Sequence, residues 1–569
     1  MNWLDYSVLL ATLLAIPLYG LWKLRAGANL GQYLRGDASI RWLTIGLSVL
    51  ATQAGPITFL SLPGQAYESG LGFVQNYFGQ PLALLVVCAV FLPIFQRLKV
   101  FTAYEYLGQR FDRKTRLLGA GLFLIQRGLA AGITLYAPAI ILSALLGWRL
   151  DLTIGLTGAA VIGYTVLGGA KVVSFTQQYQ MGVIFLGMAA AFALAVWRLP
   201  ADLSFPQALA VAGKMGKLQA VDFSFDPSRR YTIWSGVLGG FFLALSYFGA
   251  DQSQVGRYLA GGSLEESRFG LLFNAAVKVP MQFFILLLGA TVFLFYQFEK
   301  PPLLFNTPAL HQAEARGASA SLTALETDYD AAFAEKKASV RALAAVLGSG
   351  DAASIETAAA RARGLDARVQ EIRAQARRAL VAAGANPKSK DSDFVFLTFV
   401  LQQLPHGLVG LLVAVIFSAA MSATAATLSA LGSTTAVDFY RPVLRPGADD
   451  AHTLRAAKCF TAAWGCAAIG VALGANLVEN LIEAGNILGS IFYGPILGLF
   501  VTAFFFRRVG GHAVFIAALA VQAGVLALFF TTNIGYLWFN FLGCVAVPLL
   551  ATVLQASLQR PIAENPDDA

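Results

Sequence analysis

The sequence predicts an all-α integral membrane protein with about thirteen transmembrane helices. Three observations carry this. Of 569 residues, 57% are hydrophobic and 13% charged, with a mean hydropathy of +0.63; a soluble chain carries roughly twice that charged fraction, about 25%. The apolar residues fall in repeated blocks of about 20, the length that crosses a bilayer core as a helix. Two blocks are interrupted, around Gly55-Pro56 and around Phe248-Gly249. A broken membrane helix is tolerated only where its freed backbone faces protein, water or an ion.

In chain order the spans are expected near 4–22, 42–66, 74–96, 116–146, 150–168, 173–197, 232–256, 268–297, 395–430, 456–475, 480–506, 512–531 and 533–556. The first lacks the basic start and the small-residue cleavage site of a signal peptide, and reads as a retained helix. The second, ATQAGPITFLSLPGQAY, carries both Gly55-Pro56 and Pro63-Gly64, and both pairs are expected to interrupt it. The seventh ends in SYFGADQSQVGRYLAG, where Asp251 and Arg257 are expected to hold structural positions near the cytoplasmic end. The eighth holds Lys278 deep within FNAAVKVPMQFF. A charge at that depth has a partner or a cavity, or snorkels to the surface. The ninth, GLVGLLVAVIFSAAMSATAATLSALGSTTAVDFY, sets Ser418, Ser422 and Thr424 among small residues. In hydrocarbon such residues mark helix contacts or a polar site.

The net charge of +9 does not point to nucleic acid. Basic residues gather in short loops: Arg110, Arg113, Lys114 and Arg116 after the third span, Arg441 and Arg445 after the ninth, Arg507 and Arg508 after the eleventh. Positive loops stay cytoplasmic, which places the N-terminus outside, the C-terminus inside and the chain in a cell (plasma or inner) membrane. Cys88, Cys459, Cys466 and Cys544 all lie in apolar segments, without disulfide or zinc spacing, and are expected as buried small hydrophobes.

Residues 302–394 break the membrane pattern, dividing the chain into a membrane part at 1–301, an insertion at 302–394 and a second membrane part at 395–569. In the insertion Leu322, Leu325, Tyr329, Phe333, Val340 and Leu343 recur at mostly three- and four-residue steps, as do Leu365, Val369, Ile372 and Leu380. Gly348-Ser349-Gly350-Asp351 separates the two runs. This is an antiparallel helical hairpin, extracytoplasmic by the topology above. It is either a tolerated loop insertion or an element that docks a protein partner or acts as a lid.

An interrupted helix next to a hydroxyl-bearing one suits a hard cation, which takes oxygen ligands. Ala51 and Ala54 precede the Gly55-Pro56 break and offer carbonyls; Ala419 adds a carbonyl and Ser422 a hydroxyl. The alternative for Ser422 is close helix packing, and for Pro56 a simple kink. No enzyme is expected: the membrane segments hold no paired carboxylates, and His311, His406, His452 and His512 are scattered. A sensor role is the rival class, and the short tail Arg560 to Ala569 offers no signalling module.

Taken together, SLPGQAYESGLGF, FTAYEYLGQRF, YTVLGGAKVVSFTQQYQ, DQSQVGRYLA, AAMSATAATLSALGSTTAVDFYRP and FYGPILGLF resemble the sodium:solute symporters in order and spacing. The resemblance implies inverted five-plus-five repeats after a leading helix, with the first helix of each repeat broken. It implies a sodium site of the Ala51, Ala54 and Ala419 carbonyls and the Ser422 hydroxyl. Where the family has a second hydroxyl this chain has Ala423, which keeps proton-coupled or uncoupled transport open. A second ion site is expected to be absent, since Gln177 follows Thr176 and Ala425 and Ala426 replace hydroxyls. For the solute the resemblance implies Tyr247 as an inner gate beside Phe248, with Lys278, Thr58 and Tyr77 aligning with sugar-contacting positions. Gln53, Thr58, Ser61, Tyr77 and Gln80 would form a polar, uncharged wall. The implied function is sodium-coupled symport of a small organic solute, sugar-like or carboxylate, by alternating access. The partners are that solute, sodium and the bilayer.

Overall fold

The computed structural model describes residues 2–23, 30–35, 40–98, 100–348, 350–385, 390–475 and 480–557. Ser349 and the tail from Arg560 to Ala569 lie outside the described residues. Among the described residues every regular element is a helix, apart from one isolated backbone bridge between Ile40 and Gly261. Among the described residues eleven helices are long and apolar enough to cross a membrane. Two shorter apolar helices, Trp42–Gln53 and Ser235–Gly249, lead into the two breaks, and each of the thirteen expected spans holds a helix.

The leading helix α1 is Trp3–Lys23. Next come α2 (Trp42–Gln53) and α3 (Pro56–Ser69), the halves of the first broken span. A 3₁₀ segment, Gly70–Tyr77, leads into α4 (Gln80–Val86) and, through a π turn, α5 (Leu92–Leu98). Helix α6 is Arg113–Leu146, N-capped by Asp112 and ended by the left-handed Gly147. Helix α7, Leu150–Trp197, covers two expected spans and turns at Gly169, whose φ of 59° only glycine adopts freely. The second broken span is α8 (Gly240–Gly249) and α9 (Gln252–Tyr258), followed by α10 (Leu264–Phe298).

Within 302–394, α11 (Ser319–Val346) packs against α12 (Ala352–Ala382), with Asp351 capping α12. Leu322, Tyr329, Phe333, Val340 and Leu343 are buried on one strand of it and Val369, Ile372 and Leu380 on the other. Helix α11 packs on α10.

The expected span 395–430 is two elements. Helix α13 (Val395–Gln403) follows a 3₁₀ turn, Asp391–Phe394, and packs on α3. The chain breaks at Leu404–Gly407, where Gly407 has φ 88°, before α14 (Leu408–Thr434). Helices α15 (Asp450–Gly474), α16 (Leu481–Phe505), α17 (Gly511–Thr531) and α18 (Leu537–Ser557) complete the bundle.

Two further expectations are corrected. Pro63-Gly64 does not interrupt its helix; α3 runs through it. The pair is there for packing: a Cβ on Gly64 would collide with the Ser392 carbonyl. Cys88 and Cys544 are buried, whereas Cys459 and Cys466 face outward from α15.

Helix α2 packs among α7, α10 and α14, and α3 meets α10, α14 and α16. The first break is therefore enclosed by long helices on every side, and the second lies against α4, α16 and α14.

Candidate functional site

The first break has a local cause. Gly55 is extended (φ −70°, ψ 179°) and Pro56 opens α3. Proline carries no N–H, so the Thr52 carbonyl has no donor four residues on. Ala54, the C-cap of α2, has left helical geometry at φ −87° and ψ 65°. Facing the break, α14 is packed so closely that a Cβ on Gly55 would stand 3.2 Å from the Ala423 Cβ. Ala51, Ala54 and Ala419 are fully buried, and Ser422 is 1% exposed. The Ser422 hydroxyl oxygen has no hydrogen-bond partner among the described residues, nor has that of Thr424. A buried hydroxyl without a partner forfeits its hydration.

Next to this site Gln177 joins three helices. Its amide donates to Thr52 Oγ1 at 3.1 Å and to the Ser422 carbonyl at 3.2 Å, and its Oε1 accepts from Ser48 at 2.5 Å. Thr176 donates back to Val172 and Val173 at 3.0 Å. Of the positions implied for a second ion, Thr176 and Gln177 are thus engaged in protein hydrogen bonds.

A cavity of about 160 Å³ lies against the break. Gln53, Thr58, Tyr77, Gln80, Tyr247, Phe248 and Lys278 all line it, so the structure brings the seven solute candidates to one place. Gln53 donates to Gln80 and Gln80 to Asn274, each at 3.0 Å, a chain of amides along one wall. Ser61 is buried away from the cavity lining. Lys278 is 1% exposed, its ammonium 5.6 Å from the Tyr77 ring centroid and without a hydrogen-bond partner among the described residues. It does not snorkel; it faces the cavity.

The opposite wall was not anticipated. Arg127 of α6 lines the cavity, stacks 4.9 Å from the Tyr247 centroid and pairs with Asp251 at 2.5 Å. Asp251 also accepts from Tyr493 at 2.9 Å and from Ser253 at 2.6 Å. Asp251 thus fastens a cavity cation rather than standing at an interface. Arg257 is buried and donates to Ser174 at 3.1 Å. The signal for Arg127 was available: it stands mid-span in LIQRGLAAG, and an intramembrane charge marks a cavity as readily as Lys278 does. Its pairing with residue 251 is visible only in three dimensions.

The two breaks differ. At the second, Tyr104 donates to the Ala250 carbonyl at 2.8 Å and Tyr258 to the Phe248 carbonyl at 2.9 Å. Protein groups satisfy those carbonyls, whereas the Ser422 hydroxyl near the first break has no partner among the described residues.

The human sodium/iodide cotransporter is 32% identical over 311 residues, covering 54% of this chain and 48% of that protein. The rabbit (Oryctolagus cuniculus) sodium-dependent multivitamin transporter is 26% identical over 509 residues, covering 89% of this chain and 66% of its own. The chain thus spans about half the length of the first of these relatives and just under two thirds of the second. The sodium/sialic acid symporter of Aliivibrio fischeri is 24% identical over 567 residues, 99% of this chain and 94% of that one. A solved sodium-coupled sialic acid symporter in a substrate-bound, outward-open state superposes with a TM-score of 0.75 at 22% identity, over 99% of this chain and 100% of that one. It shares the fold. The model of the sodium:solute symporter family matches residues 33–359 and 371–520, and the chain belongs to that family.

Proposed function

We propose that the protein is a secondary active transporter that couples sodium to the uptake of a small organic solute by alternating access. The observation that carries this is the unpartnered Ser422 hydroxyl on α14, next to the Ala423 that packs against the break at the end of α2. Sodium held by the Ala51, Ala54 and Ala419 carbonyls and by Ser422 joins α2 to α14 beside the solute cavity. An ion that binds the solute-competent state better raises solute affinity by the same factor that solute raises ion affinity.

Lys278 selects the solute. A buried ammonium without a counter-charge is costly, and Arg127 already has Asp251. A carboxylate supplies the missing charge; a neutral sugar does not. A cavity near 150 Å³ accommodates a molecule of about benzene's bulk, which points to a small acid. Relatives named for iodide, monocarboxylates and sialic acid are in keeping with an anion. The orientation that goes with this reading puts the N-terminus and the hairpin outside a cell membrane. Ala423 packs a methyl against Gly55 where a second hydroxyl would serve the ion, so proton-coupled or uncoupled transport is the second reading.

Tracer uptake into proteoliposomes decides between them, using pooled carboxylates, amino acids and sugars with and without an inward sodium gradient. Sodium-stimulated uptake of a carboxylate pool is expected. Ser422→Ala should weaken the apparent sodium affinity about 10- to 100-fold, the equivalent of one lost charge-assisted contact. Uptake that ignores sodium in the parent protein, or sodium dependence intact in Ser422→Ala, overturns the ion site.

A further inference from the structure

On the side where α3 ends, the turn Asp391–Phe394 holds three bodies together. Asp391 faces the insertion: its Oδ1 accepts from the Phe305 and Asn306 amides at 2.7 and 2.8 Å, and its Oδ2 from Arg373 of α12 at 3.0 Å. Ser392 lies on α3, against Gly64. Asp393 accepts from the Leu481 amide at the start of α16, at 3.4 Å. Both α3 and α16 are cavity walls, through Thr58 on one and Leu481, Ile482 and Asn486 on the other. They are also joined directly, Gln65 bonding to Asn480 and Glu483. Opening the cavity on this side means moving α3 or α16 off the turn.

Arg373 is 3% exposed and makes two unequal contacts besides stacking 4.6 Å from the Phe305 centroid. The contact to Asp391 is short and ionic. The contact to the Tyr67 hydroxyl on α3 is 3.4 Å and involves a neutral acceptor. Charge-assisted pairs are the stronger kind, so the turn stays with the insertion and the α3 contact is the one that releases. Tyr67 also meets the rings of Phe293, Tyr296 and Phe305 edge-on.

We propose that Arg373 is a positioning residue for transport. It fixes the turn Asp391–Phe394 to the hairpin as one body, and its bond to Tyr67 latches the outer half of the broken helix in the closed state. The insertion is then the frame against which α3 opens. What the opening serves rests on the alternating-access reading; the latch itself is measured without transport.

The test uses the full-length protein in nanodiscs, with the exposed Cys459 and Cys466 replaced by serine. Leu481, fully buried under the turn, is replaced by cysteine and labelled with a polar maleimide. Arg373→Met and Tyr67→Phe should each raise the labelling rate at least threefold, with Arg373→Lys in between. Lys336→Met, which breaks the buried Lys336–Asp366 pair of 2.9 Å inside the hairpin, should stay within twofold of the parent. Parent-like labelling of Arg373→Met and Tyr67→Phe overturns the latch. So does equal acceleration by Lys336→Met, which would make the hairpin a stabilising element only. If Arg373→Met does not fold, Tyr67→Phe decides alone, since it removes a single oxygen. Failure of the transport reading shows elsewhere, as absent sodium-stimulated uptake by the parent protein.

Discussion

Burial pushes the Asp393 carboxyl up to about 7, from an ordinary 3.8. The turn that carries it lies outside the membrane-spanning helices. Ser61 and the Leu481 amide pull the other way, as does Lys390, while Glu68 adds to the rise; Asp391 beside it is tied to Arg373. In the closed turn the protonated form is favoured, whereas an Asp393 released to water titrates near 3.9. Between those values the closed state holds more protons, so closure strengthens as pH falls and weakens as pH rises through about 7. From pH 8 to pH 6 the closed population should gain about tenfold over the open one. Labelling of Leu481→Cys, normalised to a free thiol, should slow accordingly, and Asp393→Asn should flatten the profile. A pH dependence unchanged in Asp393→Asn would assign it to another group. At this scale much of the site was legible, because a serine, a lysine or a glutamine stands out in an apolar span. The Arg127–Asp251 pair was not, because its members are on different helices and no periodicity links them.

At the scale of elements, Pro63-Gly64 shows what local rules miss. Proline and glycine together predict a break, yet α3 continues through both. The helix is held from outside: a Cβ on Gly64 would strike Ser392, and one on Gly289 of α10 would strike the Pro63 carbonyl. Close approach, not flexibility, is what this glycine supplies. Gly64→Ala should therefore destabilise the protein by roughly 1–3 kcal/mol through overpacking. Gly155 in α7, with nothing within 4 Å of a Cβ, is the contrast: its change to alanine should be neutral or stabilising by about 0.5–1 kcal/mol. Thermal unfolding in detergent compares the two, and equal shifts would discount the packing argument. The two broken spans differ by the same logic. Tyr104 and Tyr258 close the second, while near the first the Ser422 hydroxyl has no partner among the described residues.

At the scale of the whole molecule, the breaks recur five spans apart and both border one cavity. The described cavity lining carries Lys278 and Arg127, the latter neutralised by Asp251, so one monovalent anion balances the excess. With a single sodium ion per cycle, uptake should be electroneutral. Proteoliposomes held at opposite potassium-diffusion potentials should take up the solute at the same rate. A rate that follows the potential would mean a second coupling ion or a neutral solute.

Composition and block length determined the all-helical membrane class, because hydrocarbon enforces long apolar helices whatever they pack against. Sequence order also located the first break and the hydroxyl facing it, since Gly55-Pro56 acts through its own backbone. Tertiary structure decided the rest. It split the ninth expected span so that its long helix starts at Leu408 rather than 395, turned Pro63-Gly64 into a packing device and set Arg373 against the turn Asp391–Phe394. Those outcomes depend on which helices approach one another, and close approach between segments distant in the chain leaves no mark in the local pattern.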